Sequence, residues 1–381
     1  MKEKPDIIEV AEKYVLSYLA GLIKKDLFEP LGRPMLVHLS CERMDDNIRA
    51  FISRAIPKRL SRSLMGNYVA PMFDYHIANS DYTAQELRDS VLNGYRPHRF
   101  QDFCWRYFNS SDEKFSERVF VSNCGVESGF FNPNRKNEQT RRQILAEAGF
   151  PANATVMLYI GRLSPEKNVR LLSRVLQSLL SFYNFDSQKR EFRLLVAGDG
   201  PQAAWLEKKL TKHAPGKFKL LGHIGDKERL ANLYANSDIF LHPNPREPFG
   251  IGPLEAMASG TPVIVPNSGG VLSYANKENA WVEEPLTEEY FAAVMDILDN
   301  PEKRKRKTEN AIETARSFSW ENSTDKLFDL YDELYEKFRV QQDLSLSGKA
   351  ILSRLTDEQF NTATSGQIYG RLGTTVKAKF E

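Results

Sequence analysis

The sequence has few cysteines, no long apolar run and almost no net charge. Its three cysteines, Cys41, Cys104 and Cys124, are spread over 381 residues. That spacing fits neither a disulfide framework nor a zinc site, and points to a reducing compartment. No apolar run approaches the roughly 18–20 residues of a spanning helix. The opening MKEKPDIIEV lacks the apolar stretch of a secretory signal. A cytoplasmic protein is therefore expected. Fifty-two basic residues stand against 50 acidic, a net charge of +2. Such a balance names no polyanion, so nucleic acid is not an expected partner. No cluster of His, Asp and Glu has metal-ligand spacing, so no metal is expected. No G-x-G-x-x-G leads from a strand into a helix, which argues against a dinucleotide oxidoreductase.

What is present is an α/β pattern long enough for two domains. In the second half short β-branched runs alternate with helical spacing. Strands are predicted at 156–161, 192–201, 218–225, 238–244 and 261–266, with helices over 166–183, 230–237 and 253–260 among them. This alternation predicts a parallel sheet covered on both faces, with ligands bound beyond the carboxyl ends of its strands. The first half reads as strands 7–10, 35–40, 75–80 and 118–123, with helices over 11–25, 44–65, 83–92 and 100–108. The domains expected are 1–131 and 132–340, followed by a partly ordered tail, 341–381, of weak periodicity.

The chemistry concentrates in PREPFGIGPLEAMASG (245–260), where Glu247 and Glu255 stand eight positions apart around a glycine turn. Gly250 and Gly252 can let backbone N–H groups reach a ligand. Pro253 suits the first turn of a helix and Gly260 its end. The loop thus runs into a helix N-terminus, a ready anion site. Glu255 is expected in the first turn of that helix and Glu247 before the loop. Carboxylates grip vicinal hydroxyls strongly, so the ligand implied has hydroxyls at both ends and phosphate between. A nucleoside-diphosphate sugar has that shape. In GRLSPEKN (161–168), Arg162 and Lys167 flank a strand-to-helix turn and can close on the diphosphate, one as a fork and one as a point charge.

IGRLSPEKN, LLVAGDGP, LLGHIGDKERLANLYANSDIFLHPN, REPFGIGPLEAMASGTPVI and NSGGVLSYA occur in this order. Together they resemble the C-terminal domain of a retaining glycosyltransferase of family 4, with GT-B architecture, over about residues 150–340. The resemblance implies two Rossmann-like domains facing a cleft. Position by position, Arg162 and Lys167 would hold the diphosphate, and Glu247 the transferred hexose. Glu255 would take the ribose hydroxyls. The backbone of Phe249, Gly250 and Ile251 would reach phosphate and sugar. Gly161 belongs to the same donor wall, and the backbone around Ile224 would meet the base. The family implies no metal, a nucleotide-sugar donor (GDP- or UDP-linked) and a saccharide or lipid-linked acceptor, as in surface polysaccharide or glycolipid synthesis. The rival readings are a non-catalytic protein that binds nucleotide sugar or a partner, a sugar-nucleotide epimerase and a phosphorylase. The glutamate pair argues against the epimerase, and no lysine-bearing cofactor site supports the phosphorylase.

The first half departs from the family pattern. A GT-B chain opens with a strand, a glycine-rich loop and a helix, whereas no glycine here precedes Gly21. An incomplete N-terminal domain is therefore expected. SCERMDD (40–46) follows a strand end, where Glu42 and Arg43 fit an acceptor contact or an ordinary ion pair. His38 fits a packed strand histidine better than a base. Residues 49–62 carry five positive charges and no acid. They fit anionic lipid at the inner membrane face, a lipid-linked acceptor, donor phosphate or simply water. Gly125 in NCGVESGFF fits a turn rather than a ligand contact.

Overall fold

The β-branched runs assemble into two parallel sheets. The computed structural model describes residues 4–13, 15–27, 31–48, 58–92, 99–109, 114–183 and 190–362. The chain divides into two compact units, Met1–Asp329 and Leu330–Glu381. In the first, the leading elements are β1 (Ile7–Val10), α1 (Val15–Lys24), β2 (Met35–Ser40), α2 (Met44–Asn47), α3 (Lys58–Leu64), β3 (Tyr75–Ala78), α4 (Asp81–Leu92), α5 (Arg99–Phe108) and β4 (Val119–Val121). Their sheet has the sequential order β1-β2-β3-β4, all parallel. Its core is built on Leu36, Met65, Phe73 and Leu87.

The second sheet follows α6 (Glu138–Ala148). Its elements are β5 (Ala154–Ile160), α7 (Arg170–Tyr183), β6 (Glu191–Ala197), α8 (Ala203–His213), β7 (Phe218–Leu220), α9 (Lys227–Ala235), β8 (Ile239–Leu241), α10 (Ile251–Ala258), β9 (Val263–Pro266) and β10 (Trp281–Glu283). Helices α11 (Thr287–Asp299), α12 (Pro301–Ser317) and α13 (Trp320–Thr362) come after it. The strand order is β10-β9-β8-β5-β6-β7, all parallel. This is the doubly wound order, in which the chain reverses direction across the sheet between β5 and β8. A crevice opens there beyond the strand ends. Apolar clusters fill both faces, Leu158, Phe240 and Leu254 on one and Met157, Leu176 and Trp281 on the other.

Several sequence expectations change. Within the helix expected over 44–65 the described residues give α2 and α3, and a π-turn follows over Met65–Val69. A Cβ on Gly66 would lie 2.2 Å from the Ser90 carbonyl oxygen, so contact with α4 shapes this stretch. Residues 49–57 lie outside the described residues, and with them Arg49 and Arg54 of the basic face at 49–62. Arg62 of that face pairs with Asp89 at 3.4 Å. Residues 341–362 are not a loose tail but continue α13, which contains no proline and a single glycine, Gly348. Residues 363–381 lie outside the described residues. Strand β10 went unforeseen because three residues carry no readable periodicity. Gly125 backs onto Ser319 and Trp320, whose backbone a Cβ would approach to 2.6 Å. Helix α1 is apolar on both faces: Ala20, Gly21 and Ile23 are buried, while Val15, Tyr18, Leu19 and Leu22 are exposed. Among the described residues no helix is long and apolar enough to cross a membrane.

His38 is indeed packed. It and His76, paired across β2 and β3, are fully buried with their Nδ1 atoms 3.1 Å apart. The second nitrogen of His76 lies 3.1 Å from the Ala70 carbonyl. Burial, helped by Arg118, holds His76 down to about 3. Burial and His76 itself hold His38 well below the usual histidine range. Both imidazoles are neutral in the fold but charge near pH 6.5 when unfolded. Their contribution is therefore complete above pH 6.5 and lost as the pH falls toward the folded values. His76→Gln removes one such group. Urea melts from pH 7.5 to 5 should show wild type losing stability relative to this variant by about 1.4 kcal/mol per pH unit below 6.5. A constant difference between the two proteins would contradict the neutral pair.

Candidate functional site

Two loops leave the sheet where its winding reverses. One follows β5 and carries Gly161, Arg162 and Lys167. The other follows β8 and carries Asn244, Arg246, Glu247 and Gly250 before α10 begins. They are tied together twice. Asn168, held at a left-handed φ of 51°, donates from Nδ2 to the Pro243 carbonyl at 3.1 Å. Lys167 Nζ donates to both oxygens of Glu247, at 3.0 and 2.8 Å.

Glu247 is the most constrained carboxylate of the site. Besides the lysine it accepts a hydrogen bond from Asn244 Nδ2 at 2.9 Å. His242 Nε2 lies 3.6 Å from its Oε2. Burial alone would raise the Glu247 carboxyl, but His242, Lys167 and Asn244 outweigh it and hold it below the ordinary glutamate range. Burial keeps His242 itself down to about 4. At neutral pH the opposing charge is therefore Lys167.

A third loop clamps the second. The Gly270 N–H donates to the Glu247 carbonyl at 2.6 Å, Ser268 Oγ to the Pro245 carbonyl at 3.1 Å, and the Tyr274 hydroxyl to the Gly250 carbonyl. A Cβ on Gly270 would lie 1.7 Å from the Pro248 carbonyl oxygen, so only glycine fits. Gly250, with φ 88°, caps α10 in a conformation open to glycine at little cost.

Two details of the glycine turn differ from expectation. The helix starts at Ile251, two residues before Pro253, so Glu255 falls in the second turn rather than the first. Gly252 turns its missing side chain toward the Tyr234 hydroxyl (3.3 Å) and Phe240 (3.7 Å), so its small size serves packing of the fold. Glu255 accepts a hydrogen bond from the Tyr234 hydroxyl at 2.9 Å. Burial nevertheless raises its carboxyl to about 7, against the pull of Tyr234 and Lys227. Phe249 is buried against Tyr274, with ring centroids 5.2 Å apart, and Ile251 is exposed. The Ile224 side chain packs on the core edge in the Gly222–Gly225 loop after β7.

The first domain forms the opposite wall. A cleft of about 250 Å³ is lined by Cys41, Glu42, Arg43 and Asp46 on one side and by Arg162, Lys167, Arg246 and Glu247 on the other. The structure thus brings Glu42 and Arg43 to the same cleft as Glu247, but they are not an ion pair. Arg43 forks onto Asp45 at 3.0 and 2.8 Å, donates to the Tyr82 carbonyl at 3.0 Å and lies over the Tyr82 ring. Glu42 is exposed, and its carbonyl accepts from Lys13. Among the described residues, two polar side-chain contacts cross the cleft. Ser80 Oγ donates to the Pro248 carbonyl at 2.5 Å, and Arg246 Nη1 stands 3.9 Å from Asp46 Oδ1. His242, Asn244, Arg246, Asp46 and Ser80 were missed in the sequence, which gives no cue to their spatial pairing. The place of His242 and Asn244 just past a strand end was the signal available.

Comparison with known proteins now fits this geometry. Residues 140–314 match the family described as glycosyl transferases group 1. A D-inositol 3-phosphate glycosyltransferase of Corynebacterium glutamicum is 30% identical over 226 residues, 57% of this chain and 52% of that protein. A GDP-mannose-dependent alpha-(1-6)-phosphatidylinositol dimannoside mannosyltransferase of Mycobacterium tuberculosis is 29% identical over 199 residues, 52% of this chain and 48% of that protein. The chain thus spans about half the length of these curated relatives. Among solved structures, Anabaena HepE in complex with UDP and glucose superposes with a TM-score of 0.65 at 17% identity, over 86% of this chain and 78% of that one. The matched region and the sheet before it have the GT-B architecture, two parallel-sheet domains facing a cleft.

The buried Glu255 carries a stability cost. Its raised carboxyl makes the folded chain hold a proton more tightly than the unfolded chain between pH 4.5 and 7. On this account stability falls as pH rises through that window, and the penalty stays in full above it. Glu255→Gln keeps an acceptor for Tyr234 and removes the charge. It should stabilise the protein at pH 8 by an amount of order 2–3 kcal/mol and by almost nothing at pH 4.5. Urea melts at the two pH values measure this, and an equal effect at both would refute it.

Proposed function

We propose that the protein is a glycosyltransferase that moves a hexose, with retention of configuration, from a UDP- or GDP-linked donor to a saccharide or glycolipid acceptor. The observation that carries this reading is the Lys167–Glu247 pair, set in the crevice of a doubly wound sheet and faced by a second domain. The names of the relatives support the donor class: one depends on GDP-mannose, and HepE was solved with UDP and glucose.

In this reading the diphosphate lies against Arg162, Lys167 and the first turn of α10, whose leading N–H groups have no intrahelical acceptor. Phe249, Gly250 and Ile251 bring backbone to the phosphate and sugar, and Gly161 leaves room at the end of β5. Glu255 grips the ribose, the loop around Ile224 meets the base, and Glu247 holds the hexose. As the bond from the anomeric carbon to the diphosphate oxygen breaks, negative charge grows on that oxygen. Arg162, Lys167 and the helix dipole favour this state most where the charge is greatest. The acceptor hydroxyl attacks on the face being vacated, its oxygen bonds to the anomeric carbon, and its proton passes to the diphosphate oxygen. The acceptor enters beside Glu42 and Arg43. The positive charge comes from side chains and backbone, so no metal has a role in the scheme.

Transfer from UDP- and GDP-sugars tests the assignment. Glu247→Gln and Lys167→Ala should each lower kcat by about 10²-fold or more, the usual cost of removing one group that acts on developing charge. Glu255→Gln should mainly weaken nucleotide binding, and EDTA should leave the rate unchanged. Wild-type rates in both Glu247→Gln and Lys167→Ala would defeat the proposal. Donor binding without turnover would favour a nucleotide-sugar-binding protein instead.

A further inference from the structure

His242 follows the last residue of β8, close to the glutamate that faces the cleft. Its ring is buried, and Nε2 has no hydrogen-bond partner. That nitrogen lies 3.6 Å from Glu247 Oε2, just beyond hydrogen-bonding reach. The Tyr290 hydroxyl donates at 2.7 Å to the His242 carbonyl, not to the ring. A buried nitrogen left idle beside a buried carboxylate costs stability unless another state of the site uses it.

Glu247 at present takes three hydrogen bonds, two of them from Lys167. Lysine is a mobile point charge, and a diphosphate in the crevice competes for it. When Lys167 turns to phosphate, Glu247 keeps Asn244 alone, too little for a carboxylate this buried. We propose that His242 is a positioning residue that takes over the Glu247 carboxylate when Lys167 turns to the donor's diphosphate, its Nε2–H closing the 3.6 Å gap. This rests on the donor-site reading above. It places no new group on the substrate. It explains how Glu247 holds its orientation while its main partner is engaged elsewhere.

The same handover moves a proton. The charged groups facing the ring are Glu247, from the loop it shares, and Lys167, from the loop after β5. Burial first, and Lys167 after it, hold His242 down to about 4, while Glu247 pulls upward. Withdrawing the ammonium from Glu247 and adding a diphosphate both favour imidazolium. Nucleotide binding near pH 6 should therefore be accompanied by proton uptake at His242, alongside the release that comes from Glu255.

Calorimetric titration with UDP and with GDP, in buffers of different ionisation enthalpy, counts that proton, and transfer kinetics give kcat and KM. Wild type should take up a fraction of a proton more than His242→Leu at pH 6, release from Glu255 being common to both. His242→Leu should bind the nucleotide within about twofold of wild type yet lose about tenfold or more in kcat, the usual effect of one lost hydrogen bond to a charged group. His242→Gln, whose amide can donate without titrating, should recover most of kcat and show the proton count of the Leu variant. Wild-type kcat in His242→Leu would overturn the inference. So would equal loss in the Leu and Gln variants, or a wild-type proton count in His242→Gln. Where His242→Leu does not fold, the Gln variant decides alone: near-normal kcat with a proton count below that of wild type supports the handover, and any other pairing rejects it. Failure of wild type to bind either nucleotide would instead remove the donor-site reading on which the inference stands.

Discussion

The ion pair between Lys167 and Glu247 is the contact on which the arrangement of the site depends. A buried carboxylate is costly unless it is paired and hydrogen-bonded. Here the pairing comes from a different loop, so neither loop holds its form without the other. The Glu247 loop must stand where the lysine can reach it, and three further contacts fix it there: the Gly270 N–H on the Glu247 carbonyl, the Tyr274 hydroxyl on Gly250 and Ser268 on Pro245. The lysine loop is fixed by Asn168 on Pro243. The winding of the sheet makes this possible. Adjacent strands β5 and β8 send their following helices to opposite faces, and the gap between the two departing loops is the crevice.

The first domain completes the site by a similar reliance on backbone. Ser80 meets the Pro248 carbonyl, and Gly270 lies so close to both that a Cβ would be 2.8 Å from Ser80 Oγ. The segment that steadies Glu247 is thus the one the other domain rests on. On the far wall, Glu86 accepts the N–H groups of Met44 (3.0 Å) and Asp45 (2.8 Å), and Lys13 pairs with Glu86 at 3.4 Å. That buried pair holds the turn bearing Glu42, Arg43 and Asp46 at the cleft. Movement of one wall is therefore felt at the glutamate through main-chain contacts rather than through exposed charges, which contribute little individually.

What the sequence made legible follows from what each feature requires. The parallel strands were read closely, β2 to the residue because a buried strand needs a continuous apolar run, and the edge strand β1 to the residue from its short stretch IIEV. The two crevice loops were readable because glycine and proline have few other uses at strand ends. The pairing of Lys167 with Glu247 was not, since it joins positions 80 apart that meet only once the sheet has wound. Arg43 illustrates the same limit. Beside Glu42 it reads as an ion pair, but a strand end sends neighbouring side chains apart, and the fork closes on Asp45 instead. Helix α1 was placed correctly as a helix, whereas its apolar outer face, Val15 to Leu22, follows no rule that periodicity alone supplies.

The two glutamates of the glycine turn end in opposite electrostatic states, although the sequence presents them as a pair. Glu247 is the more buried, and still lies below the usual range because an ammonium and an amide face it. Glu255 has only a phenol and a distant lysine to set against burial, and rises to about 7. The difference suits the tasks assigned to them. A carboxylate beside the anomeric centre must stay charged throughout, so it is given a counter-charge. A carboxylate that grips neutral hydroxyls can be left short of partners, because the hydroxyls themselves supply the missing donors and draw it to the charged form on binding. The unfilled hydrogen-bonding capacity of Glu255 is then part of the affinity for the nucleoside end, held in reserve by the fold as a reduced stability of the empty site.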